Sequence, residues 1–293
     1  MNKLNNLRGS LLMVASMAAF SLEDLFIKSA TKSLPLGQVL ILFGLGGMIV
    51  FMLLTARRGE VLLHPAILSR PIVLRSICEV MGRSCYTFAL ALTPLSSASA
   101  ILQATPLIVT IGAVIFFGET VGWRRWLATV IGLGGVLLIL RPGLSGFEPA
   151  SLFAVLGTLG FAGRDLATRA APQSMSNMQL GVWGFFMLVV AGSLMLNWTG
   201  GIIWPSAINL LQIAGAIIFG VIAYNALTIA MRSGEISVIA PFRYTRLVFA
   251  MVLGVIIFAE RPDSLTLLGS AIVVGCGLYS VFRERRLQQS SAS

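Results

Sequence analysis

The chain alternates long apolar segments with short polar ones. Ten stretches approach the roughly 17–25 mostly apolar residues that a bilayer-spanning helix needs. They run approximately over 9–30, 36–55, 71–92, 97–117, 124–140, 149–169, 178–197, 207–230, 237–258 and 264–282. The connections are short and carry turn residues, as at Arg141-Pro142-Gly143 and Thr199-Gly200-Gly201, and none is long enough for a separate soluble domain. The pattern predicts an all-α polytopic membrane protein with ten transmembrane helices in a lipid bilayer.

Composition agrees. Hydrophobic residues make up 57% of the chain and charged residues 11%, against about 25% charged in a soluble domain. The net charge of +10 does not imply a nucleic-acid partner, because the basic residues lie in short loops where they act as topology signals. The first segment contains Glu23 and Asp24 and lacks a small-residue cleavage site, so it reads as a retained helix. Cys78, Cys85 and Cys276 have no paired spacing, which predicts neither a disulfide framework nor a metal cluster. The lone histidine, His64, falls in a loop, so no histidine-ligated metal site is expected.

Loop charges orient the helices. Lys3 and Arg8 precede the first; Arg57, Arg58 and Arg70 separate the second from the third; Arg124 and Arg125 follow the fourth. Arg169, Arg232 and the Arg283, Arg285, Arg286 group follow the sixth, eighth and tenth. All fall on one side of an alternating path, while the other side has mainly Lys32, Arg141 and Arg261. The positive-inside rule places both termini in the cytoplasm.

A shift of 141 positions superposes Phe20 on Phe161, Asp24 on Asp165, Leu25 on Leu166, Lys28 on Arg169, Ser33 on Ser174 and Glu119 on Glu260. One offset held over such a distance indicates duplication, with a first repeat over 1–144 (helices one to five) and a second over 145–293 (helices six to ten). Five helices per repeat is an odd number, so the repeats are expected to be inverted, the architecture of many secondary transporters.

Charges at the bilayer centre are unfavourable by at least about 2.5–3.5 kcal/mol and persist where they pair or face water or ligand. Helix three carries Arg75, Glu79 and Arg83 at i, i+4, i+8, with Tyr86 extending the row. The stripe is either an ion-pair ladder to neighbouring helices or the wall of a substrate cavity. Asp24 with Lys28 and Asp165 with Arg169 recur as i, i+4 pairs, which favours a structural or gating role. Glu23 aligns with Arg164, of opposite sign, as suits a ligand with two different ends; Glu23 is also the candidate carrier of a coupling proton. Gln103, Tyr224, Asn225, Arg243, Tyr244 and Arg246 complete the substrate-binding candidates. Trp183 reads as an anchor or packing residue. Pro106 and Pro241 can each bend a helix, but they do not superpose at the repeat offset, so the kinks need not be symmetric. Gly132, Gly134 and Gly135 in helix five and Gly269, Gly275 and Gly277 in helix ten point to close packing.

Phe117-Gly118-Glu119 before Trp123-Arg124-Arg125-Trp126 and a glycine-rich helix resembles the end of an EamA repeat. Ala240-Pro241-Phe242-Arg243-Tyr244-Thr245-Arg246, Phe258-Ala259-Glu260-Arg261-Pro262-Asp263 and Phe161 with Arg164-Asp165-Leu166 resemble the second repeat of that family, part of the drug/metabolite transporter superfamily. The resemblance implies ten helices, cytoplasmic termini, a bacterial inner-membrane location, and a central cavity lined mainly by helices one, three, four, six, eight and nine. It implies a transporter of small polar metabolites by alternating access. The run Leu22-Glu23-Asp24-Leu25-Phe26-Ile27-Lys28 with Leu34-Pro35-Leu36-Gly37-Gln38 is most similar to riboflavin importers, while helices three and nine resemble S-adenosylmethionine carriers. Riboflavin uptake is the leading expectation; an S-adenosylmethionine or amino-acid carrier or exporter is the alternative, and a channel or membrane enzyme a distant one. No cofactor is expected, since a flavin would be cargo. Lys28, Arg164 and Arg169 around Asp24 and Asp165 would stabilise ionised carboxylates and so oppose a shared-proton aspartyl dyad, and no catalytic residue is assigned.

Overall fold

The structure, a computed structural model, describes residues 3–62, 64–118, 123–141, 148–170, 172, 174–233 and 240–290. Among these residues all regular structure is helical. The α-helices are α1 (Lys3–Ala30), α2 (Leu36–Arg57), α3 (Arg70–Leu92), α4 (Leu95–Leu102), α5 (Thr105–Phe117) and α6 (Trp123–Leu140). They continue with α7 (Ser151–Arg169), α8 (Asn177–Thr199), α9 (Ala207–Ser233), α10 (Thr245–Phe258) and α11 (Ser264–Ser290). The 3₁₀ turns are η1 (Pro65–Leu68) and η2 (Ala240–Tyr244). Each predicted segment has its helix, with the fourth divided into α4 and α5 and the ninth opening on η2. Glu119 lies outside the described residues.

Among the described residues, five stretches are long and apolar enough on their own to cross a membrane: Leu7–Ala30, Leu36–Arg57, Leu95–Phe116, Asn177–Thr199 and Ala207–Leu227. The helices α3 and α7 have the length, but their charges lower their hydropathy. Those charges are the ones that the site below uses.

The two helix interruptions coincide in the repeats although the prolines do not. The α4–α5 break at Gln103-Ala104 falls one repeat offset from the junction of η2 and α10 at Tyr244-Thr245. Pro106 has no N–H to give to Leu102 four residues back; the Thr105 hydroxyl donates to that carbonyl instead, at 2.6 Å. Thr245 does the same for Phe242, also at 2.6 Å. A threonine returning to the carbonyl three residues earlier, rather than the proline itself, is what the two breaks share.

The chain forms two compact units, each drawing helices from both repeats. The first comprises the described residues of Met1–Ser21, Pro94–Ser151 and Ile222–Ser293. Within it, Met13 and Met17 of α1 pack on Ala230 of α9, flanked by Leu12, Phe20, Leu227 and Phe249. The Ser16 hydroxyl donates to the Ala223 carbonyl at 2.7 Å. The expected close packing of helices five and ten occurs at Gly135 and Gly269, where an added Cβ would come within 2.9 and 2.6 Å of the facing glycine's carbonyl oxygen; Gly134 and Gly275 face open space. Glu260 closes the start of α4, accepting from the backbone N–H groups of Leu95 (2.5 Å) and Ser96 (3.0 Å) and from the Ser96 hydroxyl (2.7 Å). Its negative charge suits a helix N-terminus.

Asp263 caps α11 through the Thr266 N–H at 2.9 Å and pairs with Arg141. The Arg141 hydrogen bond, then those of Thr266, hold its carboxyl down from 3.8 to about 2. A depressed folded-state value gives stabilisation that is complete above the unfolded value and is lost as pH falls through about 2. With 47% of the Asp263 side chain exposed, the contribution is small. Melting temperatures of wild type and Asp263→Asn should therefore differ by a constant amount between about pH 5 and pH 8; a gap that changes across that range would contradict this linkage.

The second unit comprises the described residues of Leu22–Thr93 and Leu152–Val221. Here α2 and α8 meet backbone to backbone: a Cβ on Gly37 would lie 2.5 Å from the Leu196 nitrogen, and one on Gly192 2.6 Å from the Gly37 oxygen. Leu40, Ala191 and Met195 fill this contact. Ser176 and Gln179 form a capping box at the start of α8.

Candidate functional site: a buried ladder of charges

The site of the second unit begins with a seam of small residues between α3 and α7. A Cβ on Gly160 would lie 2.4 Å from the Gly82 Cα, and one on Gly157 would lie 3.0 Å from the Tyr86 nitrogen. Gly163 faces the Cys78 sulfur, which a Cβ would approach to 2.8 Å. With no side chain in the way, α7 comes close enough for its charged residues to reach those of α3.

Reading along α3, the polar stripe forms a ladder of alternating sign. Arg75 donates from Nε to the Thr168 hydroxyl at 3.1 Å and lies 3.8 Å from Glu79. The other Glu79 oxygen meets Arg164 at 3.4 Å, and Arg164 pairs with neighbouring Asp165 at 2.9 Å. One turn beyond Glu79, Arg83 pairs with Glu23 of α1 at 2.8 Å. The Tyr86 hydroxyl donates to Asp24 at 3.4 Å. Lys28 donates to the carbonyls of Leu90 (2.8 Å) and Thr93 (2.5 Å) at the end of α3, where a cation complements the helix dipole. From Arg75 to Leu90 the row spans about 22 Å of helix at 1.5 Å per residue. Glu23, Asp24, Arg75 and Glu79 are all buried.

Four basic residues (Lys28, Arg75, Arg83, Arg164) thus share the ladder with four acidic ones (Glu23, Asp24, Glu79, Asp165). The Nη1 of Arg75 and the Nε of Arg83 are buried without a hydrogen bond among the described residues. Such a row can receive a polar ligand by exchanging partners, because each exchange replaces one buried pair with another instead of exposing a lone charge.

The expected pairings are partly re-dealt. Glu79 shares its carboxylate between Arg75 on its own helix and Arg164 of α7, and Arg83 turns to α1. Glu23 and Arg164, matched by the repeat, serve different rungs. Asp165 is held by Arg164; the side chain of Arg169, its expected partner, lies outside the described residues. Tyr86 is fully buried, edge-on to Phe161 at 5.8 Å, so it presents no open stacking face. Trp183 is a packing residue, donating to the Ser76 hydroxyl at 2.7 Å and leaning on Phe186. His64 ends up as the cap of η1, accepting from the Ala66 N–H at 3.1 Å.

The remaining candidates belong to the first unit. Gln103, at the α4–α5 break, donates from Nε2 to the Arg243 carbonyl in η2 at 3.2 Å, which ties the two interruptions together. The Arg246 guanidinium sits 5.0 Å from the Phe20 ring, and the Ser21 hydroxyl donates to the Arg246 carbonyl at 3.2 Å. Tyr244 is buried, while Tyr224 and Asn225 are half-buried on α9.

Sequence reasoning missed the phenylalanines. Phe161 has two guanidinium groups over its ring, Arg83 at 5.8 Å and Arg164 at 4.9 Å, and Arg83 also lies over the Phe43 ring at 5.6 Å. The available signal was the repeat itself: Phe20 and Phe161 superpose at the offset, and each carries an arginine. Phe43 gave no signal, being one apolar residue in an apolar helix. Among the described residues, no group of three or more histidine, cysteine or acidic side chains could hold a metal ion.

Several comparisons bear on this arrangement. A solved crystal structure superposes with a TM-score of 0.64 at 19% identity, covering 95% of this chain and 98% of its own, which shows a shared fold. The S-adenosylmethionine uptake transporter of Rickettsia bellii is 28% identical over 74% of this chain and 75% of its own. The riboflavin transporter of Rhizobium johnstonii is 27% identical over 74% and 72%. The pseudopaline exporter of Pseudomonas aeruginosa is 26% identical over 91% and 93%. Residues 7–141 and 149–282 each match the EamA-like transporter family, so the chain belongs to that family and is a membrane protein built from two EamA repeats.

Proposed function

We propose that this protein is a secondary carrier of a small zwitterionic metabolite of the S-adenosylmethionine type. It works by alternating access in a bacterial inner membrane, with both termini in the cytoplasm and inverted repeats over 1–144 and 145–293. The balanced ladder carries this reading. A neutral cargo needs hydrogen bonds but not a row of four charges of each sign. A cargo bearing carboxylate, ammonium and sulfonium groups can enter an alternating row and satisfy both signs. Relatives named as S-adenosylmethionine uptake transporters support the choice.

Riboflavin is the second reading, supported by relatives named as riboflavin transporters and by half-buried Tyr224. Its stacking surface is reduced, because Tyr86 and Tyr244 are 0% and 4% exposed.

Uptake of labelled S-adenosylmethionine into vesicles reconstituted with the full chain tests the proposal. Uptake should saturate, unlike flow through a channel, and should be competed by unlabelled S-adenosylmethionine but not by riboflavin. Riboflavin accumulation without any S-adenosylmethionine uptake would reverse the two readings. A proton gradient should change the rate of uptake through Glu23, and equal rates with and without it would remove the coupling role from that residue.

A further inference from the structure

We propose that Glu23, Phe43 and Phe161 form a seat for the cationic centre of the cargo, which Arg83 occupies as an internal surrogate when no cargo is bound. The cargo's identity rests on the carrier reading above; the seat rests on its own geometry. The Arg83 guanidinium carbon lies 5.6 Å from the Phe43 ring centroid and 5.8 Å from that of Phe161, within the roughly 6 Å at which an aromatic face attracts a cation. One terminal nitrogen meets the Glu23 carboxylate at 2.8 Å. A buried guanidinium usually spends its fixed fork of donors on hydrogen bonds, yet Nε of Arg83 has none among the described residues. Two π-faces and one negative charge hold Arg83 chiefly as a cation. That chemistry equally suits an alkylated onium centre, such as a sulfonium, which has no N–H to donate.

The walls are fixed in advance. Phe43 is clamped edge-on by Phe185 at 5.3 Å, and Phe161 by Tyr86 at 5.8 Å. Gly220 of α9 closes the back: a Cβ there would lie 2.8 Å from the Phe43 ring and 3.5 Å from the Glu23 carboxyl carbon. Glu23, Phe43 and Phe161 are at most 7% exposed, so a carboxylate in this seat demands a cation at all times. A cationic cargo can displace Arg83, and Arg83 can return when the cargo leaves, with the charge matched throughout. A neutral thioether cannot make that exchange. The seat therefore predicts selection for the sulfonium centre itself rather than for the adenosyl or amino-acid parts.

The test is chemical rescue. Arg83→Ala removes the surrogate, and the purified full chain should melt lower than wild type. Trimethylsulfonium chloride should raise the melting temperature of Arg83→Ala by at least about 3 °C over sodium chloride at equal ionic strength, as expected for a ligand that binds only the folded state. Wild type, with its seat filled, and the Arg83→Ala/Glu23→Gln double variant should show no such rise. Equal effects of the two salts on Arg83→Ala would overturn the seat. Phe43→Leu keeps the ion pair and decides the matter even if Arg83→Ala does not fold. The preference of the protein for S-adenosylmethionine over S-adenosylhomocysteine should fall about tenfold on losing one desolvated cation–π face, and an unchanged ratio overturns the proposal. If wild type binds neither compound, the cargo reading fails, while sulfonium rescue of Arg83→Ala still decides the seat.

Discussion

Gly160→Leu is expected to abolish assembly of the native protein. A Cβ at this position would lie 2.4 Å from the Gly82 Cα and 2.5 Å from its nitrogen, and both are backbone atoms that no rotamer change can move. Overpacking a core costs about 1–3 kcal/mol where side chains can yield. Here α3 and α7 must separate as a whole. Separation lengthens the Arg164–Glu79 and Arg75–Thr168 contacts, which are already 3.4 and 3.1 Å long, and leaves buried charges without partners. Gly134→Leu is the control, because its added side chain meets open space. Size-exclusion profiles in detergent should show aggregate or no protein for Gly160→Leu and a wild-type peak for Gly134→Leu. A monodisperse, active Gly160→Leu protein would show that the seam does not hold the ladder together.

Glu23→Ala should lose about 3–5 kcal/mol, the usual effect of removing one partner from a buried ion pair. Arg83 is left 12% exposed with no other carboxylate in salt-bridge distance among the described residues. The double variant Glu23→Ala/Arg83→Met should recover most of that stability, since replacing both ions by apolar groups is often neutral, yet it should remain inactive. Denaturation of the three proteins in one detergent separates the outcomes. A single-variant loss below about 1 kcal/mol, or an active double variant, would mean that this pair is neither buried enough nor used in transport.

How much of this was legible in the chain varies by residue. The stripe Arg75, Glu79, Arg83, Tyr86 could be read directly, because i, i+4 spacing fixes a helix face whatever surrounds it. The partners on that face could not. Glu79 turned to Arg164 of α7 because the glycines of α7 bring the two backbones together, and Arg83 turned to Glu23. Lys28, four residues from Asp24, proved to serve the end of α3, where unsatisfied carbonyls compete for a cation. The helix breaks were anticipated from Pro106 and Pro241, but what they share is a threonine, Thr105 or Thr245, that returns to the carbonyl three residues earlier. Phe43 was illegible, since an aromatic that seats a cation and one that packs against lipid look alike in an apolar segment.

The sequence by itself determined the ten apolar segments, the duplication and the rows of charge along individual helices, because hydropathy, the repeat offset and helical periodicity are properties of the chain within a few turns or at one fixed shift. Only the tertiary structure decided which charges pair, which rings hold a guanidinium, and that each compact unit combines helices from both repeats. Those outcomes depend on how closely two backbones approach in space, a distance set by small residues such as Gly82 and Gly160 on helices far apart in the chain.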